Sequence, residues 1–364
     1  MSSIQVFRQQ QMREDYEEWK RNSVYLYDMI AIQTLPRSPL CIDWDTTSTR
    51  NLLCGIEADD SNSNSILRIS VKEASRLYQT QIDEKIPCKG SFELLRVMPH
   101  NPSTVAAKSI DGKVLVMNTK TNQAQSLMGL TSGGGGLDWS DMDEGLIACG
   151  SGDHRICIWK IESPQPQLVF DNHPCDVTDI SWNRKEKDQF GVAGNDGSVA
   201  IYDIRQSSYS SIIKCHDSKC SLLRYNPFLF NVFITGSSNG QIALWDSRFT
   251  SHPVHYLEGH TAGIYCGDWS PHCQSKIVTG GDDMKVIVWD LLKIGQEQSA
   301  EEEEDGSAEL LFTHQGHTER VNDVRWNPQE EGVISSVGND HTVQVWKISD
   351  SLFQDDILDD SLLE

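Results

Sequence analysis

The sequence lacks several features that would assign it to common functional classes. No stretch approaches the roughly 18 consecutive apolar residues of a membrane-spanning helix, and the first thirty residues mix both charge signs without the apolar core of a secretion signal. Basic residues are scarce, with 31 Lys and Arg against 53 Asp and Glu, which gives a formal net charge of -22. Because nucleic-acid binding needs a basic surface, we expect no membrane and no nucleic acid as a direct partner, and we expect a basic partner instead.

Closely spaced cysteine pairs are also absent. The ten cysteines include no Cys-x-x-Cys pair, which is the usual element of a zinc site, and a chain of 364 residues needs no disulfides to stabilise its core. The sequence has no nucleophile elbow, and the glycine run at 133–136 is not followed by the Lys-Ser/Thr of a phosphate-binding loop. We therefore expect no catalytic residue, no metal, no cofactor and a reducing compartment.

What the sequence does contain is a repeat. In six places an Asp or Asn precedes an aromatic residue or Met by six positions; the pairs are Asp111 and Met117, Asp153 and Trp159, Asp196 and Tyr202, Asn239 and Trp245, Asp283 and Trp289, and Asp340 and Trp346. Successive anchors are 42, 43, 43, 44 and 57 residues apart, so the last interval contains an insertion. A period of about 40–45 residues is typical of the four-stranded blade of a WD-repeat β-propeller.

The number of blades follows from weaker copies of the same pattern. A looser unit covers residues 90–118, and another begins at 41–45, which brings the prediction to seven blades over residues 38–348 in an all-β propeller. His260 lies 29 residues before Trp289, and His317 lies 29 before Trp346. Because these residue types recur at the same place in each unit, we interpret them as structural hydrogen-bond networks and not as catalytic groups.

Three segments lie outside the predicted ring. Residues 5–33 are expected to form a helix packed on its side, since Tyr16, Trp19, Leu26, Met29 and Ile30 recur at three- and four-residue spacing. The insertion at 296–309 contains seven acids and no base, and the tail at 349–364 is also acidic. Such acidic runs attract basic peptides, and a solubilising role is the alternative for the tail.

A binding groove is expected where the helix and the insertion meet. The first and last units of a closed ring are neighbours, and the apolar triplet at 310–312 follows the acids directly. The two segments would together form an apolar floor with an acidic lip, which suits a basic amphipathic helix. The apolar contacts would supply most of the affinity, and the acids would supply orientation and a fast association rate.

The residues that carry these two features resemble a known family. The segment at 15–22, which reads Asp-Tyr-Glu-Glu-Trp-Lys-Arg-Asn, and the following Tyr-Leu-Tyr-Asp at 25–28 are similar to the N-terminal helix of the retinoblastoma-binding, Msi-type WD-repeat histone chaperones. The segments at 289–299 and 309–312 are similar to the insertion of the same family, and the likeness continues from Gly316 to Pro328. Between residues 31 and 259 the likeness is mostly the general repeat pattern.

The resemblance implies a non-catalytic histone-binding subunit, located in the nucleus with an allowance for a cytoplasmic pool. The implied assemblies are chromatin assembly factor and histone acetyltransferase, deacetylase and Polycomb-type complexes. The first helix of histone H4, within the H3–H4 dimer, would lie between the N-terminal helix and the acidic loop. The residues implied are Tyr25, Leu26 and Met29 for the helix-side wall, Glu302, Asp305 and Gly306 for the lip, and Leu310, Leu311 and Phe312 for the floor. Where the family has Pro-Pro after the loop glycine, this chain has Ser307 and Ala308, so we expect a less rigid loop.

A second histone site of the family lies on the broad face of the ring, where acidic and aromatic side chains bind the H3 tail. At the matching positions this chain has few acids; the residues are Ser91, Glu93, Gly133, Gly135, Thr178, Asn195, Gly263 and Asn339, with Tyr265 as the remaining aromatic. Because the attraction for a Lys- and Arg-rich tail is thereby reduced, we expect weak or no binding of an unmodified H3 tail.

One other binding function is kept as an alternative. The words Tyr-Asp-Ile-Arg at 202–205 and Trp-Asp-Ser-Arg at 245–248 resemble the Trp-Asp-x-Arg motif of substrate receptors of cullin-type ubiquitin ligases. Since Asp and Arg are also common at blade ends for structural reasons, the motif is less specific than the helix and insertion together.

Overall fold

The computed structural model of the chain describes residues 3–57, 63–74, 77–89, 92–299, 303 and 306–353. Within these ranges it contains one long helix, α1 (Ser3–Leu26), short 3-10 turns at Leu291–Lys293 and Asp350–Phe353, and strands that form seven four-stranded antiparallel sheets. This architecture confirms the predicted seven-bladed β-propeller.

Each of the first three blades is built from four consecutive strands. They are β2 (Pro39–Asp45), β3 (Asn51–Ile56), β4 (Ser63–Ala74) and β5 (Leu77–Lys89) in blade 1, β6 (Phe92–Met98), β7 (Asn101–Ser109), β8 (Val114–Asn118) and β9 (Ala124–Leu127) in blade 2, and β10 (Leu137–Trp139), β11 (Leu146–Gly150), β12 (Ile156–Lys160) and β13 (Leu168–Phe170) in blade 3. The two weaker sequence units therefore correspond to complete blades.

The next three blades repeat this order along the chain. They are β14 (Val177–Trp182), β15 (Gln189–Gly194), β16 (Ser198–Asp203) and β17 (Tyr209–Lys214) in blade 4, β18 (Cys220–Tyr225), β19 (Val232–Ser237), β20 (Ile242–Asp246) and β21 (His255–Leu257) in blade 5, and β22 (Ile264–Trp269), β23 (Lys276–Gly281), β24 (Val286–Asp290) and β25 (Leu310–His314) in blade 6. The acidic insertion joins β24 to β25, so it belongs to blade 6 and precedes the last blade, as expected.

Blade 7 closes the ring with a strand from the other end of the chain. Its strands β26 (Val321–Trp326), β27 (Val333–Gly338) and β28 (Thr342–Ile348) are completed by β1 (Tyr27–Thr34), which pairs antiparallel with β28. The predictions that the helix extends to residue 33 and that the propeller begins at 38 are therefore wrong. Side chains alternate between buried and exposed from Tyr27 to Ala31, which is the period of a strand and not of a helix.

The hydrophobic core is distributed between neighbouring blades. At the closure, Met29 and Ala31 from β1 pack in one cluster with Ile42 and Trp44 of blade 1 and Val345 of blade 7. Each buried aliphatic side chain of this kind contributes about 1.5–3 kcal/mol relative to an exposed one. The closing strand is consequently held by both its backbone pairing and its side chains.

The repeated His, Asp and Trp residues form the hydrogen-bond networks that the sequence predicts. In blade 6, His260 Nδ1 lies 2.8 Å from Asp283 Oδ2, its Nε2 lies 2.8 Å from Thr279 Oγ1, and the Trp289 indole N–H donates to the same hydroxyl at 2.8 Å. Burial alone would raise the pKa of the Asp283 carboxyl, but the hydrogen bonds it accepts from His260 and two backbone amides outweigh burial and lower it. The network joins the middle strands of the blade to the loop that precedes its first strand.

Membrane-spanning and metal-binding features do not occur in the described part of the chain. Among those residues, no helix is both long and apolar enough to cross a bilayer, and no three His, Cys, Asp or Glu side chains are grouped as metal ligands. Nine of the ten cysteines are buried as free thiols, and Cys273 is partly exposed.

Candidate functional site

Helix α1 is held on the ring by an aromatic and histidine network. The Trp19 indole N–H donates to the Tyr27 hydroxyl at 2.9 Å, and this hydroxyl lies 2.7 Å from His314 Nδ1 on β25. The His314 ring stacks on Trp346 with a centroid distance of 4.5 Å, and its Nε2 lies 3.1 Å from Gln344 Oε1. The helix is therefore connected to blades 6 and 7 at once.

The direction of these hydrogen bonds fixes the protonation of His314. Since Trp19 can only donate, the Tyr27 hydroxyl is free to donate to Nδ1, and Nε2–H then donates to the amide oxygen of Gln344. This is the neutral imidazole. Burial, reinforced by the neighbouring His317, lowers the pKa of His314 well below its ordinary value, which agrees with the neutral form.

The apolar residues of the helix and of β25 pack side by side, as the groove hypothesis requires. Tyr16, Leu26, Ile30, Leu311 and Phe312 are partly buried and pack against a common cluster. The buried members of this anchor cluster are Trp19, Tyr27, Cys266, Val278, Val286, Val288, Val321, Val324, Trp326, Ile334, Trp346 and Ile348. The five partly buried residues thus form a continuous apolar floor between α1 and blade 6.

The three predicted wall residues lie in three different environments. Tyr25 is 76% exposed, whereas Leu26 is partly buried against the anchor cluster. Met29 is only 4% exposed and lies between blades 7 and 1, so its assignment as a contact residue is wrong. Sequence analysis missed Val24, which is 80% exposed; its signal is an apolar residue next to Tyr25, on the side of the helix away from Tyr16 and Trp19.

Only the two ends of the insertion are described. Glu302 and Asp305 lie outside the described residues, as does the tail from residue 354. Gly306 has φ of +128°, and its carbonyl accepts a hydrogen bond from Gln298 at 3.2 Å. Glu309 is 5% exposed and pairs with His255 at 2.9 Å, so this acid belongs to the blade and does not contribute to an acidic lip.

Of the floor residues, Leu310 and Phe312 also have structural roles. Leu310 packs in the core between blades 5 and 6. Phe312 contacts Tyr27 edge to face at a centroid distance of 5.5 Å and lies 6.2 Å from Trp346. Leu311 packs against the anchor cluster and also lines an open pocket. Leu311 is therefore the floor residue best placed to contact a ligand.

The broad face of the ring contains a cavity of about 730 Å³. It brings together most of the residues predicted for that face; they are Glu93, Gly133, Gly135, Thr178, Asn195, Tyr265 and Asn339. Gly263 lies against the Tyr265 ring, and Ser91 is outside the described residues. The face predicted from the sequence is thus a real concave surface.

This cavity is not acidic. Two of its acids are paired with two of its arginines, Asp323 with Arg96 at 2.9 Å and Asp179 with Arg224 at 2.5 Å. The Tyr265 ring is covered by the guanidinium of Arg320, whose Cζ lies 4.0 Å from the ring centroid. The aromatic surface available to an incoming cation is therefore already occupied by a cation of the chain.

The glycines on this face are required by close backbone packing. A Cβ at Gly133 would lie 1.9 Å from the carbonyl oxygen of Ile110, and Gly135 has φ of +80° with the Gly150 carbonyl carbon 2.6 Å from such a Cβ. The Gly135 and Gly150 carbonyls accept hydrogen bonds from the fully buried Lys108 at 3.1 and 2.8 Å. No larger side chain fits here without moving the backbone.

The two Trp-Asp-x-Arg-like words end in exposed arginines that are already paired. Arg205 donates to Asp203, with the shortest contact at 2.5 Å, and Arg248 donates to Asp246 at 2.6 Å, each through two nitrogens. These pairs stabilise the ends of β16 and β20. This geometry agrees with the structural explanation of the motif.

Comparisons with known proteins agree with the positions of these features. A family model that describes the histone-binding protein RBBP4 and its equivalent in the CAF1 complex matches residues 14–75, which span most of α1, β1 and much of blade 1. A model described as "WD domain, G-beta repeat" matches residues 251–290 and 308–347, in blades 6 and 7. The first match covers the helix that carries Trp19 and Tyr25.

Two relatives align with nearly the whole chain. The WD-40 repeat-containing protein MSI3 of Arabidopsis thaliana is 29% identical over 389 positions, covering 95% of this chain and 92% of the relative. The histone acetyltransferase type B subunit 2 of Candida glabrata is 27% identical over 374 positions, covering 93% and 89%. With its helix, ring closure and repeats in the same order, the chain belongs to the WD-repeat family of histone-binding proteins that is described by RBBP4 and its equivalent in the CAF1 complex.

Proposed function

We propose that this chain is a non-catalytic histone-binding subunit that takes the first helix of histone H4 between α1 and the acidic insertion. The observation that carries the proposal is the continuous apolar floor formed by α1, β1 and β25, with Tyr25 exposed beside it. An amphipathic helix would place its apolar side on this floor. The family membership supports a histone as the source of that helix.

Charge supports a basic ligand for the same groove. The chain carries a net charge of -22, and six of the seven acids at 296–309 remain for a lip once Glu309 is assigned to the blade. Acids at the rim of an interface mainly accelerate association and set orientation, because they stay hydrated. The apolar floor would then account for most of the binding free energy.

A peptide titration tests this assignment. A labelled peptide of the H4 first helix should bind the whole chain, and Tyr25→Ala should weaken binding by about 1–3 kcal/mol, as expected for an aromatic anchor. Tyr256→Ala is the matched control, because Tyr256 lies on blade 5 and is 40% exposed. Equal losses in the two variants, or no loss in Tyr25→Ala, would place the peptide elsewhere.

Reversing charges tests the acidic lip separately. Glu302→Lys with Asp305→Lys should slow association and flatten its dependence on salt, while dissociation changes little. Glu144→Lys with Glu162→Lys makes the same change of net charge at exposed positions in blade 3. If both double variants behave alike, net charge alone and not a lip would explain the attraction.

We further propose that the broad face binds an unmodified H3 tail weakly or not at all. The pairing of its acids with Arg96 and Arg224 and the covering of Tyr265 by Arg320 support this. The chain would therefore depend on the H4 groove within an acetyltransferase, deacetylase, Polycomb-type or chromatin assembly complex. Titrating H3-tail and H4-helix peptides at matched salt should give much weaker H3 binding, and comparable affinities would contradict this.

A further inference from the structure

A second apolar pocket lies next to the groove, between the outer parts of blades 6 and 7. It has a volume of about 340 Å³ and is lined by Ser270, Cys273, Lys276, Val288, Leu311, Trp326, Glu331, Gly332, Lys347, Ile348 and Asp350. Four of these side chains are large and apolar. The Trp326 indole N–H is buried and has no hydrogen-bond acceptor among the described residues. The pocket thus offers an apolar floor and one unused donor.

The chain itself passes this pocket just before its last eleven residues. Asp350 lines the pocket, and its backbone N–H donates to Asp28 Oδ2 at 3.0 Å, while Ser349 N–H donates to the Leu26 carbonyl at 3.0 Å. These contacts fix the direction in which the chain leaves β28. Residue 354 is four positions after Asp350, so the segment 354–364 begins within about 14 Å of the pocket.

The composition of segment 354–364 matches the pocket. It contains two apolar pairs, Ile357 with Leu358 and Leu362 with Leu363, and five acids, Asp355, Asp356, Asp359, Asp360 and Glu364. The apolar pairs recur at a spacing of five, with acids between them, so apolar and acidic groups would separate to different sides of a helical turn. Lys276 and Lys347 line the pocket and offer opposite charge, on a chain that is otherwise strongly acidic.

We propose that segment 354–364 of this chain docks in the pocket, with Ile357 and Leu358 on the floor formed by Val288, Leu311 and Ile348. Carboxylates of the segment face Lys276 and Lys347. The docking does not depend on the proposed function. One consequence does: Leu311 also belongs to the groove floor, so the docked segment lies beside a bound histone helix and competes with it for this side chain.

Cys273 provides a direct probe, because it lines the pocket and is the one cysteine that is not buried. Native labelling with a thiol reagent therefore reports on this residue, and Cys273→Ser should abolish the fast reaction. We expect Cys273 in the full chain to react at least about tenfold more slowly than in a chain ending at Phe353. Tenfold corresponds to a docking free energy of about 1.4 kcal/mol.

Two further arms separate docking from other effects. Ile357→Ser with Leu358→Ser in the full chain should restore fast labelling, whereas Leu362→Ser alone should restore it only in part. A synthetic peptide of residues 354–364 added to the shortened chain should slow labelling, and a scrambled peptide should not. Equal labelling rates in the full and shortened chains would overturn the proposal, as would protection that increases with protein concentration, since that would indicate a second copy.

Discussion

Thr279 shows how much one hydroxyl contributes to a blade. It accepts from the Trp289 indole and donates to His260, and it is completely buried. Thr279→Val keeps the shape but leaves both partners unpaired, so we expect a loss of about 1–3 kcal/mol in the free energy of unfolding. Urea denaturation measures the loss, and the exposed Thr121→Val is the control. A loss no larger than that of the control would mean that the network does not stabilise blade 6.

His314 should make stability depend on acidity. Its pKa lies below 6.5 in the folded chain because burial disfavours the charged ring, while the unfolded chain titrates near the ordinary value. Below about pH 6.5 the unfolded state therefore binds a proton that the folded state does not, and stability falls as pH falls. The contribution approaches about 1.4 kcal/mol per pH unit.

The pH effect is measured by comparing variants. His314→Gln should lower the melting temperature at pH 7.5 but reduce its further fall between pH 7.5 and 5.5. His252→Gln, at an exposed position in blade 5, should leave the slope unchanged. Parallel profiles for wild type and His314→Gln would show that His314 is not the titrating group.

At single positions, sequence reasoning succeeds where the environment is repeated and fails where it depends on distant contacts. His260 and Asp283 can be assigned to a structural network because their spacing recurs. Met29 fits the apolar spacing of a helix, yet it is buried against Ile42 and Val345, which no local pattern reveals. Glu309 follows the acids of the insertion in sequence, but its pairing with His255 on β21 assigns it to the blade.

The N-terminal helix and the strand after it have separable roles. Helix α1 packs on the outside of the ring, whereas β1 supplies the fourth strand of blade 7 through pairs such as Ala31 with Val345. A chain lacking residues 1–24 should keep a cooperative unfolding transition with a lower melting temperature. A chain lacking residues 1–35 should lose that cooperativity, because blade 7 and its contact with blade 1 are incomplete.

Calorimetry with circular dichroism distinguishes these two truncations. Retention of a cooperative transition by the shorter chain would contradict the role assigned to β1. The boundary could not be placed from the sequence because β1 pairs with a strand more than 300 residues away. The seven blades, in contrast, were predictable because each one is built mainly from local hairpins that carry the same residues at a period of about 43.

On the scale of the whole molecule, the ring presents two surfaces of different chemistry to a basic partner. The groove beside α1 combines an apolar floor with neighbouring acids, while the broad face has its acids paired and its Tyr265 covered. A net charge of -22 attracts any basic chain, so charge alone does not distinguish the surfaces. The difference lies in which surface offers uncovered apolar contacts.

Hydrogen exchange with mass spectrometry, with and without the H4 first-helix peptide, tests the central claim most directly. We expect slower exchange on binding in residues 14–26 of α1 and 306–312 at the end of the insertion, and unchanged exchange at 133–136 and 263–265 on the broad face. Protection confined to the broad face, with none in α1, would contradict the account.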